Sequence, residues 1–121
     1  MSFIKPIDKE NFGDFNSSEV LLSILVPCFN EIKTISEVIE KIKQSPVKNK
    51  EIIIVDDFSN DGSREFLSNL KDDMITVKFH KINKGKGAAI NSVIKYSRGK
   101  IVIIQDADLE YDPAEYGILI K

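Results

Sequence analysis

The chain has little cysteine and no long apolar segment. With Cys28 as its one cysteine, the chain of 121 residues can form no internal disulfide bond, which is typical of a reducing compartment. Its apolar runs, such as Ile101–Ile104, have the length of a strand and fall far short of the roughly 20 residues that a membrane helix needs. Residues 1–15 interrupt their apolar side chains with charge and show no secretory signal. We therefore expect a soluble, cytoplasmic protein.

An excess of positive charge is also absent. The chain has 17 basic and 19 acidic residues and a formal net charge of −2. Domains dedicated to nucleic acids usually carry a clear basic excess, so the charge balance argues against that class. A composition of 42% hydrophobic and 30% charged residues is ordinary for a globular domain, and the length is sufficient for one domain with a real core.

Four apolar segments with the length of strands alternate with amphipathic segments from residue 20 onwards. The predicted strands are Leu21–Val26, Ile52–Val55, Ile75–Phe79 and Ile101–Ile104. With short connections, this alternation predicts an α/β fold, a mostly parallel sheet with helices on both faces. Residues 1–19 have no steady period and are predicted to be a leader or tail, which leaves residues 20–121 as the folded part.

Local signals define two of the connecting helices. Thr34 has the form of an N-cap, with Glu37 three residues later as its capping-box partner. Ile90, Val93 and Ile94 have helical spacing and are predicted to form the buried stripe of a later helix.

Polar loops follow all four predicted strands. In an open parallel sheet, ligands bind at the carboxyl ends of the strands, so these loops should lie along one edge. The loops are Pro27–Glu31, Asp56–Gly62, Asn83–Gly87 and Asp106–Glu110.

The loop after the fourth strand has the chemistry of a cation site. Asp106 and Asp108 are two residues apart, and their carboxylates could hold a hard divalent cation against the oxygens of a diphosphate. Such a cation would neutralise charge on a departing nucleoside diphosphate. Glu110 could reach the same cation or be solvated. The D-x-D spacing also occurs in ordinary turns, but its place beside three other polar loops favours a metal site.

Acidic residues after the second strand have two possible uses. Two adjacent acids are costly to bury unpaired, so one of Asp56 and Asp57 is predicted to face the cleft and accept hydrogen bonds from a nucleobase. The other would cap the next turn, and the alternative that both simply end the strand stays open. Asp61 is predicted to be a helix cap.

The glycine-rich loop after the third strand is predicted to lie near phosphate. Gly85 and Gly87 allow close backbone approach, Lys84 and Lys86 supply positive charge, and a following helix start offers free N–H groups. A tight turn without a ligand is the alternative.

Other polar or reactive residues carry weaker signals. Glu31 could bond a ribose hydroxyl or favour the dipole of the next helix. Cys28 has no histidine placed to activate it and is interpreted as a packing residue. His80, the one histidine, is predicted to lie on the surface.

The motifs VPCFNE, VDDFSNDGS, NKGKGAA and QDADLEYDP, in this order, resemble family 2 glycosyltransferases with the GT-A fold. Within that family the chain is most similar to the polyprenyl-phosphate branch (dolichol-phosphate mannosyltransferase-like), from about Leu22 to the end. The resemblance implies a Rossmann-like half that binds a UDP- or GDP-sugar with Mg²⁺ or Mn²⁺. It also implies transfer of the sugar, with inversion, to a lipid-phosphate or saccharide acceptor.

The resemblance also assigns residues to the donor site. The nucleoside pocket would include Pro27, Asn30, Glu31, Asp56 and Asp57. The nucleotide-sugar would lie beside Gly85, Lys86, Asp106 and Ala107, and the metal ligands would be Asp106, Asp108 and Glu110.

The chain departs from the family at three places. Phe58 stands where relatives often have glycine, and Ser92-Val93 where they often have a basic residue or glycine. The sequence ends at Lys121, whereas relatives continue with the catalytic base and the acceptor site. We therefore expect a truncated donor-binding module that is inactive alone, from a protein that works in the cytoplasm or at the cytoplasmic face of a membrane. An exposed edge at the fourth strand would favour self-association.

Other protein classes fit these motifs less well. A sugar nucleotidyltransferase would open with a glycine- and arginine-rich loop after the first strand, and a dehydrogenase with G-x-G-x-x-G. A phospho-acceptor receiver domain would place its acid pair after the first strand. A non-catalytic nucleotide-binding module remains an alternative.

Overall fold

The computed structural model describes residues 2, 3 and 20–108. Its strands are β1 (Ser2–Phe3), β2 (Leu22–Cys28), β3 (Lys50–Asp56), β4 (Ile75–Phe79) and β5 (Ile101–Ile104). Its α-helices are α1 (Ile35–Gln44), α2 (Ser63–Ser68) and α3 (Lys86–Val93), and a turn of 3₁₀ helix, Ile94–Tyr96, follows α3. Among these residues, no helix has the length and apolar character that crossing a bilayer requires.

The strands form one sheet in the order β1-β5-β2-β3-β4. β5, β2, β3 and β4 are parallel to one another, so the prediction of a mostly parallel α/β sheet is confirmed. β1 was not predicted, since two residues are too few to show a period. It pairs antiparallel with β5 through Ile103 and Ile104, so the prediction of a bare edge at this strand is wrong for these two residues.

Apolar side chains cover both faces of the sheet. One face packs against α1 and α2, and the cluster between them contains Ile24, Val26, Ile35, Val38, Ile42, Ile52, Ile54, Leu67 and Ile103, among others. The other face packs against α3, and the cluster between them contains Leu25, Ile53, Val55, Ala89 and Val93. Successive residues of a strand point to opposite faces, so β3 is buried on both sides, as its β-branched run predicts.

Pro27 separates β2 from β5 at their carboxyl ends. The carbonyl of Leu25 accepts the N–H of Gln105, and the next rung would need an N–H that Pro27 lacks. Pairing of β2 with β5 therefore stops at Leu25, whereas pairing with β3 continues to Cys28. The prediction that the strand ends at Val26 is wrong, because proline removes a donor on one side only.

The start of α1 differs from the predicted capping box. Thr34 occupies the N-cap position but makes no side-chain cap hydrogen bond, so the reciprocal pairing with Glu37 does not form. Its hydroxyl donates instead to the carbonyl of Ala107, after β5. A hydrogen bond to the loop after β5 thus replaces the predicted hydrogen bonds within the first turn of α1.

The start and buried face of α3 also differ from the prediction. The helix begins at Lys86, so Gly87 lies inside it and not in a loop. Ala89 and Val93 are its buried residues, whereas Ile94 is 36% exposed in the 3₁₀ turn. Ala89 escaped the stripe prediction because alanine gives little pattern signal.

Candidate functional site

A cleft of about 450 Å³ lies at the carboxyl ends of β2, β3 and β5. It opens where β2 extends beyond β5. There β2 continues to β3 through α1 on one face of the sheet, while β5 is reached through α3 on the other. Such a switch point is where open α/β sheets bind ligands.

The cleft brings together residues from all four predicted loops. Its lining includes the predicted residues Pro27, Glu31, Asp57, Lys86, Asp106, Ala107 and Asp108. Asn30, Asp56 and Gly85 are not part of that lining, and Glu110 lies outside the described residues. Cys28, Phe29 and Ala89 also line the cleft. The one indication in the sequence that these three residues belong to the site was their closeness to predicted site residues along the chain.

Asn30 links two loops at the carboxyl ends of the strands. Its φ of 54° is left-handed, a conformation that asparagine tolerates better than most residues. Its side-chain oxygen accepts the N–H of Asn60 at 2.8 Å, and its own N–H donates to the hydroxyl of Ser59 at 2.8 Å. Asn30 thus ties the loop after β2 to the loop after β3.

Asp56 is fully buried and closes the turn after β3. One carboxylate oxygen, Oδ2, accepts the N–H of Ser59 at 3.0 Å and lies 3.5 Å from Nη1 of Arg64. The other, Oδ1, has no hydrogen-bond partner among the described residues. The side chain therefore stabilises the loop after β3 and is not part of the cleft surface.

Asp61 satisfies backbone donors at the start of α2. The N-cap position belongs to Gly62, in a left-handed conformation, so the prediction of Asp61 as the cap is off by one residue. Its Oδ1 nevertheless accepts the N–H of Ser63 at 2.9 Å. Its Oδ2 accepts the N–H of Ile32 at 3.1 Å, which holds the loop after β2 in place.

Asp57 joins the cleft to the glycine-rich loop. Its Oδ1 accepts the N–H of Lys84 at 2.9 Å, and its Oδ2 accepts the N–H of Gly85 at 2.8 Å. Burial alone would raise the pKa of this carboxyl, but these donors and the ring of His80 together hold the pKa below its ordinary value. Two N–H groups of the loop that was predicted to lie near phosphate thus already bind an anion of the chain itself.

His80 is buried, so the prediction of a surface residue is wrong. Its side chain lies between Asp57 and Ser92, with Nδ1 2.8 Å from Oδ1 of Asp57 and Nε2 2.8 Å from Oγ of Ser92. A signal was present in the sequence, since His80 directly follows β4 and so lies at the same edge of the sheet as Asp57.

Cys28 lines the cleft, and its thiol is unreactive. Burial, together with the nearby Asp56 carboxylate, raises the pKa of its thiol to about 12. The interpretation of Cys28 as a packing residue agrees with this environment, because the thiolate is the nucleophilic form.

The acidic turn after β5 faces a cation of the chain. Oδ1 of Asp106 lies 2.5 Å from Nζ of Lys86, at the start of α3, and Asp108 lines the same cleft. Carboxylate oxygens are the ligands that Mg²⁺ and Mn²⁺ prefer, and Asp106 already attracts a positive group, so this pair fits a divalent cation. Within residues 20–108, no three His, Cys, Asp or Glu side chains gather as a complete metal site.

Comparison with known proteins identifies a family. The model of the family described as "Glycosyl transferase family 2" matches residues 23–121. An uncharacterized glycosyltransferase of Rickettsia felis is 39% identical over 87 residues, which are 72% of this chain and 14% of the relative. A dolichyl-phosphate beta-glucosyltransferase of Trichomonas vaginalis is 33% identical over 104 residues, 78% of this chain and 31% of the relative. The chain therefore spans less than half the length of these relatives.

Two solved glycosyltransferases share the fold. One is the mannosyltransferase PcManGT from Pyrobaculum calidifontis, in complex with GDP-Man and Mn²⁺; it has a TM-score of 0.65 and 24% identity, over 83% of this chain and 33% of that one. The other is TarS of Staphylococcus aureus in complex with UDP-GlcNAc; it has a TM-score of 0.66 and 25% identity, over 73% of this chain and 26% of that one. The family match and this shared architecture show that the chain belongs to glycosyltransferase family 2 and has the N-terminal part of the GT-A fold.

Proposed function

We propose that residues 20–121 are the donor-binding part of an inverting glycosyltransferase that holds a UDP- or GDP-sugar in the cleft. The observation that carries this proposal is the meeting of Asp106, Asp108 and Lys86 at a switch point of the sheet. A cluster of two carboxylates and one ammonium suits a diphosphate with its divalent cation. Similar folds solved with GDP-Man and Mn²⁺, and with UDP-GlcNAc, support the ligand class.

Two lining residues, Asp57 and Glu31, are proposed to bind the nucleoside. Asp57 uses three lone pairs for Lys84, Gly85 and His80, which leaves about one, on Oδ2, for an N–H of the base. Glu31 is proposed to accept a ribose hydroxyl. These contacts would orient the nucleoside across the end of β2.

Lys86 is proposed to exchange partners when the donor binds. In the free protein its ammonium neutralises Asp106 at 2.5 Å. A bound Mg²⁺ or Mn²⁺ would supply positive charge to the leaving diphosphate, and Asp106 and Asp108 are the residues proposed to hold it. Lys86 could then turn to a phosphate oxygen within the reach of its flexible side chain.

The acceptor and the catalytic base are proposed to involve other parts of the protein. The match to a dolichyl-phosphate beta-glucosyltransferase supports a lipid-phosphate acceptor, and saccharide acceptors are the alternative. We propose that residues 20–108 bind the donor but do not supply the catalytic base, and that they do not transfer sugar by themselves. The full-length protein would act in the cytoplasm or at the cytoplasmic face of a membrane.

Calorimetric titration of UDP and GDP, each with and without Mn²⁺, tests the proposal. We expect one nucleotide to bind in a metal-dependent way and Asp108→Ala to weaken that binding at least about tenfold, since it removes a charged ligand. Asp73→Asn, at an exposed acid outside the cleft, is the matched control and should bind as the wild type does. A folded chain that binds neither nucleotide with Mn²⁺, or an Asp108→Ala variant that binds normally, would contradict it.

A further inference from the structure

His80 is a buried titratable side chain that the proposed donor site does not use directly. Only 8% of the residue is exposed, and its backbone is fixed on both sides. Its N–H donates to the carbonyl of Asp56 at 2.9 Å, and its carbonyl accepts from Nη1 of Arg64 at 3.0 Å. The ring is therefore held at the end of β4, beneath the loop that leads to α3.

The partners of the ring determine where its protons lie. An ionised Asp57 can only accept, so Nδ1 of His80, 2.8 Å from Oδ1, must carry a hydrogen. The hydroxyl of Ser92 lies 2.8 Å from Nε2 and 2.8 Å from the carbonyl of Ala89, and it has one hydrogen to donate. If it donates to Nε2, the ring is neutral; if it donates to Ala89, the ring is an imidazolium. In both arrangements Nδ1–H donates to Asp57.

Asp57 connects the ring of His80 to the residues of the cleft. The same carboxylate holds the N–H groups of Lys84 and Gly85, and the side chain of Asn83 donates to its backbone carbonyl at 3.2 Å. Gly85 is the N-cap of α3, with a φ of 91°. The Asp57 carboxylate thus holds the two residues that precede α3, whose first residue, Lys86, contacts Asp106.

We propose that His80 is a positioning residue of the donor site. Through Asp57 it holds the backbone of Lys84 and Gly85, and hence the first turn of α3, in the place that presents Lys86 to the cleft. This inference rests on the proposed function for its consequence on nucleotide binding, whereas its effect on the loop is independent of any ligand.

Ring nitrogen NMR of the wild-type chain tests the proton arrangement without any substitution. At about pH 8 we expect hydrogen on Nδ1 of His80, although a free neutral imidazole also populates the form protonated on Nε2 alone. A ring protonated only on Nε2, with bare Nδ1, would overturn the proposal.

Amide exchange tests the effect on the loop. His80→Asn places an amide N–H close to the position of Nδ1, whereas His80→Leu removes the donor. We expect the amides of Lys84 and Gly85 to exchange about tenfold faster in His80→Leu and to stay within about threefold of wild type in His80→Asn. The amide of Ile53, in the core, is the control and should not change unless the whole protein is destabilised. Unchanged protection of Lys84 and Gly85 in a folded His80→Leu variant would overturn the proposal.

Nucleotide binding then separates this inference from the proposed function. With UDP or GDP and Mn²⁺, we expect about tenfold weaker binding to His80→Leu and near-normal binding to His80→Asn. Equal binding by wild type and His80→Leu would overturn the role of His80 while leaving the donor site in place. Failure of the wild type to bind either nucleotide would overturn the donor site itself, and the exchange data would still decide whether His80 positions the loop.

Discussion

At the scale of single residues, Gly99 marks the tightest backbone contact of a glycine in the described part of the chain. A Cβ at this position would lie 2.6 Å from the backbone nitrogen of Ser23 and 2.9 Å from the carbonyl carbon of Leu22. Neither atom is the end of a flexible side chain, so the backbone itself would have to move. The N–H of Gly99 also donates to the hydroxyl of Ser23 at 2.8 Å. Glycine is required here because two backbones meet.

We expect Gly99→Ala to lower the free energy of unfolding by about 2 kcal/mol, as overpacking does in well-packed sites. Gly87→Ala is the matched control, because a Cβ there meets nothing within 4 Å and the residue lies inside α3. It should raise stability by about 0.5 to 1 kcal/mol, since alanine is the better helix former. Urea unfolding of both variants measures the difference, and equal effects of the two substitutions would contradict this account.

Glu51 forms a buried polar cluster at the amino ends of the strands. Its carboxylate accepts the hydroxyl of Ser23 at 2.6 Å and both the N–H and the Nε–H of Arg98, at 2.5 Å and 3.1 Å. Burial alone would raise the pKa of Glu51, but these donors and the guanidinium charge hold it below its ordinary value. The fold therefore favours the ionised form.

This shift makes stability depend on pH in a defined direction. A carboxyl whose pKa is lowered by folding stabilises the protein above its unfolded pKa of about 4.3, and the contribution is lost as the pH falls through the folded pKa. We expect Glu51→Gln to be less stable than wild type near neutral pH and to lose less on acidification. Urea midpoints at about pH 6 and about pH 3 measure this, and parallel losses in both proteins would contradict it.

At the scale of elements, α1 is linked to the acidic turn after β5. Thr34, before the first residue of α1, donates its hydroxyl to the carbonyl of Ala107, between Asp106 and Asp108. Its two contacts to Glu31 are longer, at 3.3 Å and 3.5 Å. The threonine thus fixes the turn that carries both proposed metal ligands.

We expect Thr34→Val, which keeps the shape and removes the donor, to weaken Mn²⁺-dependent nucleotide binding by about fivefold. Thr34→Ser keeps the hydroxyl and should retain most of the affinity. Calorimetry with the nucleotide that the wild type binds compares them. A larger loss in Thr34→Ser than in Thr34→Val would show that the methyl group, and not the hydrogen bond, matters.

Most elements could be predicted from the sequence because their apolar patterns match their burial. β3 and β5 are buried β-branched runs, and α1 has its apolar residues on one side. The errors occur where a tertiary contact replaces a local rule. Thr34 forms a contact with Ala107 instead of a capping box, and Pro27 continues a strand whose partner on one side has ended.

The candidate site shows the same division. Its acidic and glycine residues could be found because they follow strands whose ends must meet. The roles of Asp57 and His80 could not, since only the fold shows that the glycine loop binds the carboxylate of Asp57 from within the chain. The polar groups of the site could be located from the sequence, but the hydrogen bonds among them depend on the fold.

At the scale of the whole molecule, the sheet formed by the described residues has an outer edge at β4. This strand is outermost in the order β1-β5-β2-β3-β4 and carries Thr76 and Lys78 on one face. This edge of five residues has no second partner strand within residues 20–108, so it can add a strand from a second copy, although a lysine on it opposes this. We therefore propose that self-association occurs at β4, and not at the fourth predicted strand, which is β5.

We expect the sedimentation coefficient to rise with concentration as copies pair through β4. Thr76→Lys places a second positive charge beside Lys78 and should shift the equilibrium towards the monomer by like-charge repulsion. Analytical ultracentrifugation of both proteins gives the comparison. A wild-type chain that stays monomeric over a wide concentration range would contradict the proposal.

The buried thiol of Cys28 has a practical consequence for work on this molecule. A pKa of about 12 leaves about one thiol in ten thousand ionised at pH 8, against roughly a quarter for an ordinary cysteine. Since Cys28 is the one cysteine of the chain, maleimide reagents would find almost no reactive sulfur in the native protein. A cysteine introduced on the exposed surface could therefore carry a spin label or fluorophore at one defined place, with the native sequence as its own unlabelled background.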